Sequence, residues 1–197
     1  MSAVYTVPSV NCGVTPTAFA YQWVGLDGDT DGTVEQDGVA SFCFNGSPSY
    51  LAWWEMYPAA LQEQFSLNAG DAVQSSVTYS GGNYILALTD ITSGQTFSTA
   101  QACASTCNRT SAEVITEGYP SSPYGGTADF GAENYSSIRV GNPNNHKGGM
   151  TDPAWTTDES IAQGASGTDA QPGALYLTSN PVSPKMSAFT DNWVAEN

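Results

Sequence analysis

Apolar residues in this chain almost never recur at helical spacing, and in ten short runs they recur at strand spacing instead. The runs are AFAYQWVGL, GVASFCF, LAWWEMY, QSSVTYS, NYILALTDI, QTFSTA, SAEVITE, SSIRVG, GALYLTS and SAFTDNWV. Turn signals such as SGGN (Ser80–Asn83), TSGQ (Thr92–Gln95), YGGT and NPNN separate them. Only PAALQEQF (Pro58–Phe65) offers a short turn of helix. Parallel strands need a crossover of a dozen or more residues, and none is evident, so the strands should pair antiparallel. The expected fold class is all-β, an antiparallel β-sandwich or jelly roll. At 197 residues the chain suits one domain over 1–197, with no repeat or long linker. The stretch from Asn142 to Gly173 is polar and reads as loop-rich.

Charge narrows the partners. Nineteen acidic residues face four basic ones (Arg109, Arg139, Lys147, Lys185) and one histidine, His146, for a net charge of −15. A chain with no basic footprint is not expected to bind nucleic acid or an anionic membrane. No apolar run is long enough to span a bilayer as a helix. In acid the carboxylates neutralise and so few cations remain that self-repulsion stays small, which suits a protein working at low pH. The plainer account of the same charge is an acidic surface kept for solubility.

Four cysteines, Cys12, Cys43, Cys103 and Cys107, allow three disulfide connectivities. We favour Cys12–Cys43 and Cys103–Cys107, and with them an oxidising compartment. A zinc site is not expected, because CASTC has no second cysteine pair at ligand spacing and the chain holds a single histidine. The sequons at Asn45, Asn108 and Asn134 fit a secreted protein, although MSAVYTVPSV carries no signal peptide.

Strand parity assigns faces. In LAWWEMY, Trp53, Glu55 and Tyr57 share one face, while Ala52, Trp54 and Met56 share the other and read as core. In SAEVITE, Glu113, Ile115 and Glu117 lie together, opposite Ala112, Val114 and Thr116. Two aromatics with a carboxylate suit the wall of a cleft; the bland alternative is a solvated sheet face.

LDGDTDGTVEQDG (Leu26–Gly38) invites a calcium reading, with Asp27, Asp29 and Asp31 at positions 1, 3 and 5 of an EF-hand and Gly32 at position 6. Position 12, which needs a bidentate Glu, is Gly38, and the flanks are strand-like rather than helical. An acidic Gly-rich turn explains the same residues without an ion. No metal and no cofactor is expected.

The ordered set WVGLDGDTDGTVEQDG, LAWWEMYP, LNAGD, ITSGQ, SAEVITE, ADFG and TDPAWTTDE resembles the glutamic peptidases, the eqolisins, from about Val7 to the C-terminus. The resemblance implies a sandwich of two curved antiparallel sheets, jelly-roll or concanavalin-like, with polypeptide substrate in the groove of the concave sheet. It implies an acid endopeptidase working through a Gln/Glu dyad, monomeric and secreted. By motif, the glutamine falls on Gln36 and the glutamate on Glu117, the last residue of AEVITE, and not on Glu113. Trp53 and Glu55 match the family's A-W-Y-E segment, Trp23 and Asp27 its W-V-G-x-D segment, and Tyr57 joins them by parity as substrate-binding. A carboxylate at Glu117 would take the proton of an attacking water and return it to the leaving amine. Gln36 would steady the oxyanion at any pH, because an amide does not titrate.

By this resemblance three departures from the family pattern are expected: the N-terminal strand segment with its Asn-Trp-Gly-like motif is not found ahead of MSAVYTVPSV, Ala40 and Leu51 stand where fungal members tend to carry aspartates, and the turn before Gln36 is one residue shorter. A bacterial-type or divergent member is expected. Two other functions fit parts of the sequence. One is a non-catalytic module binding carbohydrate or peptide on the Trp53/Tyr57 face. The other is a glycosidase using Glu55 and Glu117, which would need carboxyls about 5–5.5 or 6.5–9.5 Å apart.

Overall fold

The computed structural model describes residues 1–29, 31–103, 106–118, 126–142, 144–156, 177–181 and 187–193. Among these there is no helix. The strands are β1 (Ser2–Thr6), β2 (Ala18–Asp27), β3 (Val34–Phe44), β4 (Ser47–Tyr57), β5 (Gln62–Ser66), β6 (Ala72–Ser80), β7 (Asn83–Asp90), β8 (Thr96–Ala102), β9 (Ala112–Glu117), β10 (Ala132–Gly141), β11 (Lys147–Gly148), β12 (Leu177–Pro181) and β13 (Phe189–Trp193). One sheet runs β12-β13-β10-β1-β6-β7-β8, with β11 beside β10; the other runs β5-β4-β3-β2-β9. The protein is an all-β sandwich of two antiparallel sheets.

All ten alternating runs fall on strands, though 173–176 of GALYLTS and 157–173 of the polar stretch lie outside the described residues. Three differences arise from pairing rather than local preference. The expected helical turn is absent: Gln62–Ser66 is strand β5, hydrogen-bonded to β4. Segment Ser2–Thr6 is a strand between β10 and β6. Strand β3 begins at Val34, so Gln36 sits on a strand and not in a turn, held on both sides by β2 and β4. Ladder bonds from two neighbours outweigh the turn preference of the Asp and Gly around it.

The core lies between the sheets. Val24, Leu26, Val39, Ala52 and Met56 from the five-stranded sheet meet Tyr5, Val77, Leu86 and Leu88 from the other. The parity read from LAWWEMY holds on this side: Ala52 and Met56 are core and Trp54 packs against it. The layer is not wholly apolar. Tyr5 donates to the Gln22 carbonyl at 3.1 Å and bonds Ser75 at 2.8 Å, and the Ala87 N–H of β7 donates to Asp37 Oδ2 at 2.9 Å across the interface.

Both favoured disulfides are formed, Cys12–Cys43 and Cys103–Cys107. The first closes a sequence separation of 31 residues against 4 for the second. Loop-closure entropy then assigns about 3.5 kcal/mol to Cys12–Cys43 and about 2 kcal/mol to Cys103–Cys107. Urea unfolding of a Cys12→Ala/Cys43→Ala protein should show the larger loss; equal losses would mean that neither bridge acts through the unfolded chain.

Candidate active site

The face of the five-stranded sheet turned away from the core carries most of the candidate residues. Register arranges them in rows across β4, β3, β2 and β9: Glu55–Gln36–Gly25–Glu113, then Trp53–Gly38–Trp23–Ile115, then Leu51–Ala40–Tyr21–Glu117. Gln36 and Glu113 therefore flank the same residue, one that has no side chain. Two strand spacings separate their Cα atoms, about 9.6 Å, a gap that two long side chains can close from opposite sides.

Glycine at position 25 is demanded by packing. The place of a Cβ there lies 2.8 Å from Trp23 Cζ3, so the indole lies along β2 over Gly25 and floors the row. At Gly38 a Cβ would strike the Gln22 carbonyl and the Trp23 backbone. Gly25→Ala should displace the indole, cost about 1–3 kcal/mol by overpacking and lower activity together with stability. Retained activity and melting temperature would show that the indole does not need its present place.

Gln36 is buried, and its Nε2 donates to Glu55 Oε2 at 2.7 Å, while Oε1 has no hydrogen-bond partner. Burial raises the Glu55 carboxyl and the bond from Gln36 partly offsets that rise. Glu113 accepts from Ser111 Oγ at 3.3 Å, and both its carboxyl oxygens lie 3.1 Å from where a Cβ on Gly28 would stand. Gly28 has φ +108, so glycine is needed there for conformation as well as room. Burial pushes Glu113 up to about 7, with Asp29, Asp27 and Glu117 adding repulsion and the Ser111 bond opposing it. Charge repulsion and burial together let this carboxyl carry a proton through the acid range.

Several expected positions move. Glu117 stands beside Tyr21, four residues along β9 from Glu113 and hence about 13 Å away, so the register does not bring it to Gln36. Its charge and those of Glu55 and Glu63 add to the burial that pushes the Tyr21 hydroxyl up to about 12. Asp27 does not line this face. With φ +65 at the strand end, its fully buried carboxylate accepts from the Thr110 N–H at 2.8 Å and the Tyr84 hydroxyl at 3.4 Å, toward the facing sheet. Trp53 and Tyr57 share parity but not access: Trp53 is 1% exposed and Tyr57 50%. Trp53 packs with Trp23 and Ala40 in a separate apolar cluster that Tyr21, Phe42 and Leu51 flank, so its ring is not open to a sugar.

The acidic turn behaves as turn chemistry. Asp31 accepts from the Gly28 and Thr33 N–H groups and from Asn108 Nδ2. Those bonds hold its carboxyl below the ordinary range. Among the described residues no group of three His, Cys, Asp or Glu is placed to hold a metal. His146, far from this face in sequence and fold, is exposed and bonds Asp152 at 2.9 Å.

Sequence reasoning passed over Glu113 and did not single out Glu35, which is 1% exposed on the inner face of β3. The only local signal for Glu113 is its parity with Ile115 and Glu117; its relation to Gln36 depends on which residue of β2 each strand meets.

Known proteins resemble this chain in sequence and in fold. The sequence profile of the peptidase A4 family matches residues 1–174. Scytalidopepsin B from Scytalidium lignicola is 37% identical over 127 residues, covering 60% of this chain and 46% of that protein. Aspergillopepsin-2 from Aspergillus niger is 33% identical over 95 residues, covering 37% of this chain and 33% of that one. The matched region thus spans less than half the length of either relative. In structure, aspergilloglutamic peptidase from Aspergillus niger superposes with TM-score 0.72 at 24% identity over 89% of this chain and 99% of that one. Scytalido-glutamic peptidase, solved with a peptide-based transition-state analogue, gives 0.75 at 24% over 98% and 91%. With a family profile covering most of its length and the same two-sheet sandwich, this chain belongs to the peptidase A4 family, the glutamic peptidases.

Proposed function

We propose that the protein hydrolyses peptide bonds of polypeptide substrates in acid, with Gln36 and Glu113 as the reacting pair in place of Gln36 and Glu117. The observation that carries this reading is the shared register of Gln36 and Glu113 on either side of Gly25. The family's Gln/Glu chemistry needs both groups on one substrate carbonyl, and Glu117 is about four residues too far along its strand.

The chemistry balances with one carboxyl. Glu113, protonated in acid, gives its proton to the carbonyl oxygen as water adds to the carbon, and the carboxylate so formed takes the proton that the water loses. The tetrahedral diol then collapses: Glu113 protonates the leaving nitrogen, the C–N bond breaks, and a diol hydroxyl returns its proton to Glu113. Gln36 has a second N–H beyond the one given to Glu55, and that N–H steadies the oxygen throughout. Glu55 is a positioning residue that fixes the orientation of the amide.

The two disulfides support an oxidising setting outside the cytoplasm. The test is hydrolysis of an unfolded protein at acid pH by wild type, Gln36→Ala, Glu113→Gln and Glu117→Gln. Loss in the first two variants with retention in the third is expected; wild-type rates in Glu113→Gln would end the proposal.

A further inference from the structure

We propose that Tyr135 is a positioning residue: its hydroxyl, reaching across the core from β10, fixes the register of β9 against β2 and so sets which glutamate of β9 stands beside Gly25. The consequence for activity rests on the reading above that a β9 glutamate reacts with Gln36. Tyr135 Oη donates to the Ile115 carbonyl at 3.0 Å and bonds Thr116 Oγ1 at 2.8 Å. A hydroxyl carries one proton, so with the carbonyl as its acceptor the second bond is donated by Thr116. Both partners lie between Glu113 and Glu117 on β9.

Strand β9 closes one side of its sheet and, among the described residues, pairs with β2 alone. Its inner face offers only Ala112, Val114 and Thr116, so little apolar surface resists a slip. A slip of one residue would turn both glutamates inward, and a slip of two would move each by a row. At its start the strand is held where the Asp27 N–H donates to the Ser111 carbonyl at 3.1 Å and the Thr110 N–H to the Asp27 carboxylate at 2.8 Å. Tyr135 supplies the hold toward the other end.

The tyrosine is itself well fixed. It is 1% exposed, and its ring stacks on Phe189 of β13 at 4.9 Å and lies 5.2 Å from that of Tyr5 on the neighbouring β1. Tyr5 in turn donates to the Gln22 carbonyl of β2, and Gln22 is the register partner of Thr116. Neighbouring strands of one sheet therefore reach neighbouring strands of the other at a single rung. Strand β2 is already held on both sides by β3 and β9, so the hydroxyl on the β9 side is the one that positions. Burial, with repulsion from Glu133 and Asp191, raises the Tyr135 hydroxyl well above its ordinary range, and the Thr116 bond opposes this in part. It therefore stays a donor through acid and neutral pH.

Tyr135→Phe keeps the ring and removes the hydroxyl, and Tyr5→Phe, which removes one from the same core layer, is the control. In Tyr135→Phe, amide exchange at Val114, Ile115 and Thr116 should quicken about tenfold beyond that at Leu86 of β7, as for a buried hydrogen bond lost locally. On an unfolded protein substrate kcat should fall by about 10–100-fold with KM nearly unchanged, as for a misplaced reacting group. Tyr5→Phe should lose comparable thermal stability, with kcat close to wild type and no selective quickening in β9. Exchange that quickens evenly over β7 and β9, or equal losses of kcat in the two variants, would reduce Tyr135 to packing and overturn the proposal. Exchange is read without activity, so selective quickening in β9 with kcat unchanged would support the role of Tyr135 and refute instead the reading that a β9 glutamate reacts. Should Tyr135→Phe fail to fold, Thr116→Val breaks the same contact from the β9 side and is read in the same way.

Discussion

Glu113→Gln is expected to lower kcat/KM on an unfolded substrate in acid by about 10²–10⁴-fold, the usual worth of a positioned acid–base group. Gln36→Ala should cost about 10²–10³-fold, as for removal of one donor to a developing oxyanion. Glu117→Gln should stay close to wild type, because Glu117 belongs to the Tyr21 row two rows from Gln36. Circular dichroism of each variant separates chemistry from folding. The pH profile supplies a second reading. Glu113 must hold its proton to begin the reaction, so kcat/KM should be level in acid and fall about tenfold per pH unit once pH passes about 7. A rate that instead climbs toward pH 7 would make Glu113 a base in its ionised form and discard the acid-first order of steps. Activity lost in Glu117→Gln and kept in Glu113→Gln would show that register on this sheet misleads about the pair.

Unfolding on the alkaline side, with resistance to acid, is the second large effect expected. Glu35 and Glu133 are each 1% exposed and pushed up to about 8 by burial, and Asp37, fully buried, is raised well above its ordinary value for the same reason. Glu133 keeps one oxygen without a hydrogen-bond partner and feels Asp191, while Asp37 is relieved in part by bonds from Ser75 and the Ala87 N–H. In each case the folded pKa lies above the unfolded one, so the folded state binds the proton more tightly. Stability is then fullest below the ordinary carboxylate range and falls as pH climbs, by about tenfold in the folding constant per pH unit for each retained proton. The net charge of −15 works in the same direction, since repulsion grows as the remaining acids ionise. Thermal melts from pH 3 to pH 9 should therefore show the highest melting temperature in acid and a steep fall between about pH 5 and pH 8. A maximum near neutrality would mean that these buried acids are ionised and paired in the folded protein.

The strands were legible because period-2 alternation in AFAYQWVGL, LAWWEMY and SAEVITE reflects a sheet with one face in the core, and that pattern is local. Strand β5 was not, since PAALQEQF has no clean period and becomes a strand through pairing with β4. Four cysteines left three disulfide connectivities open to the sequence, and the favoured one, Cys12–Cys43 with Cys103–Cys107, is the one formed; the family was legible in the ordered motifs.

Glu113 and Glu117 share one face of one strand, so no property of SAEVITE distinguishes them. The choice lies in which residue of β2 each one meets, and a slip of register would exchange their roles. The same holds for Glu35 and Asp37, whose polar residues look like surface until β7 and β6 cover them. Sequence alone determined the all-β architecture and the two faces of LAWWEMY, which follow from period-2 alternation, while Gln36 was singled out only by the resemblance of ordered motifs to the glutamic peptidases. Only the tertiary structure decided which acid stands opposite Gln36 and which acids lose their water, because both depend on contacts between strands far apart in the chain.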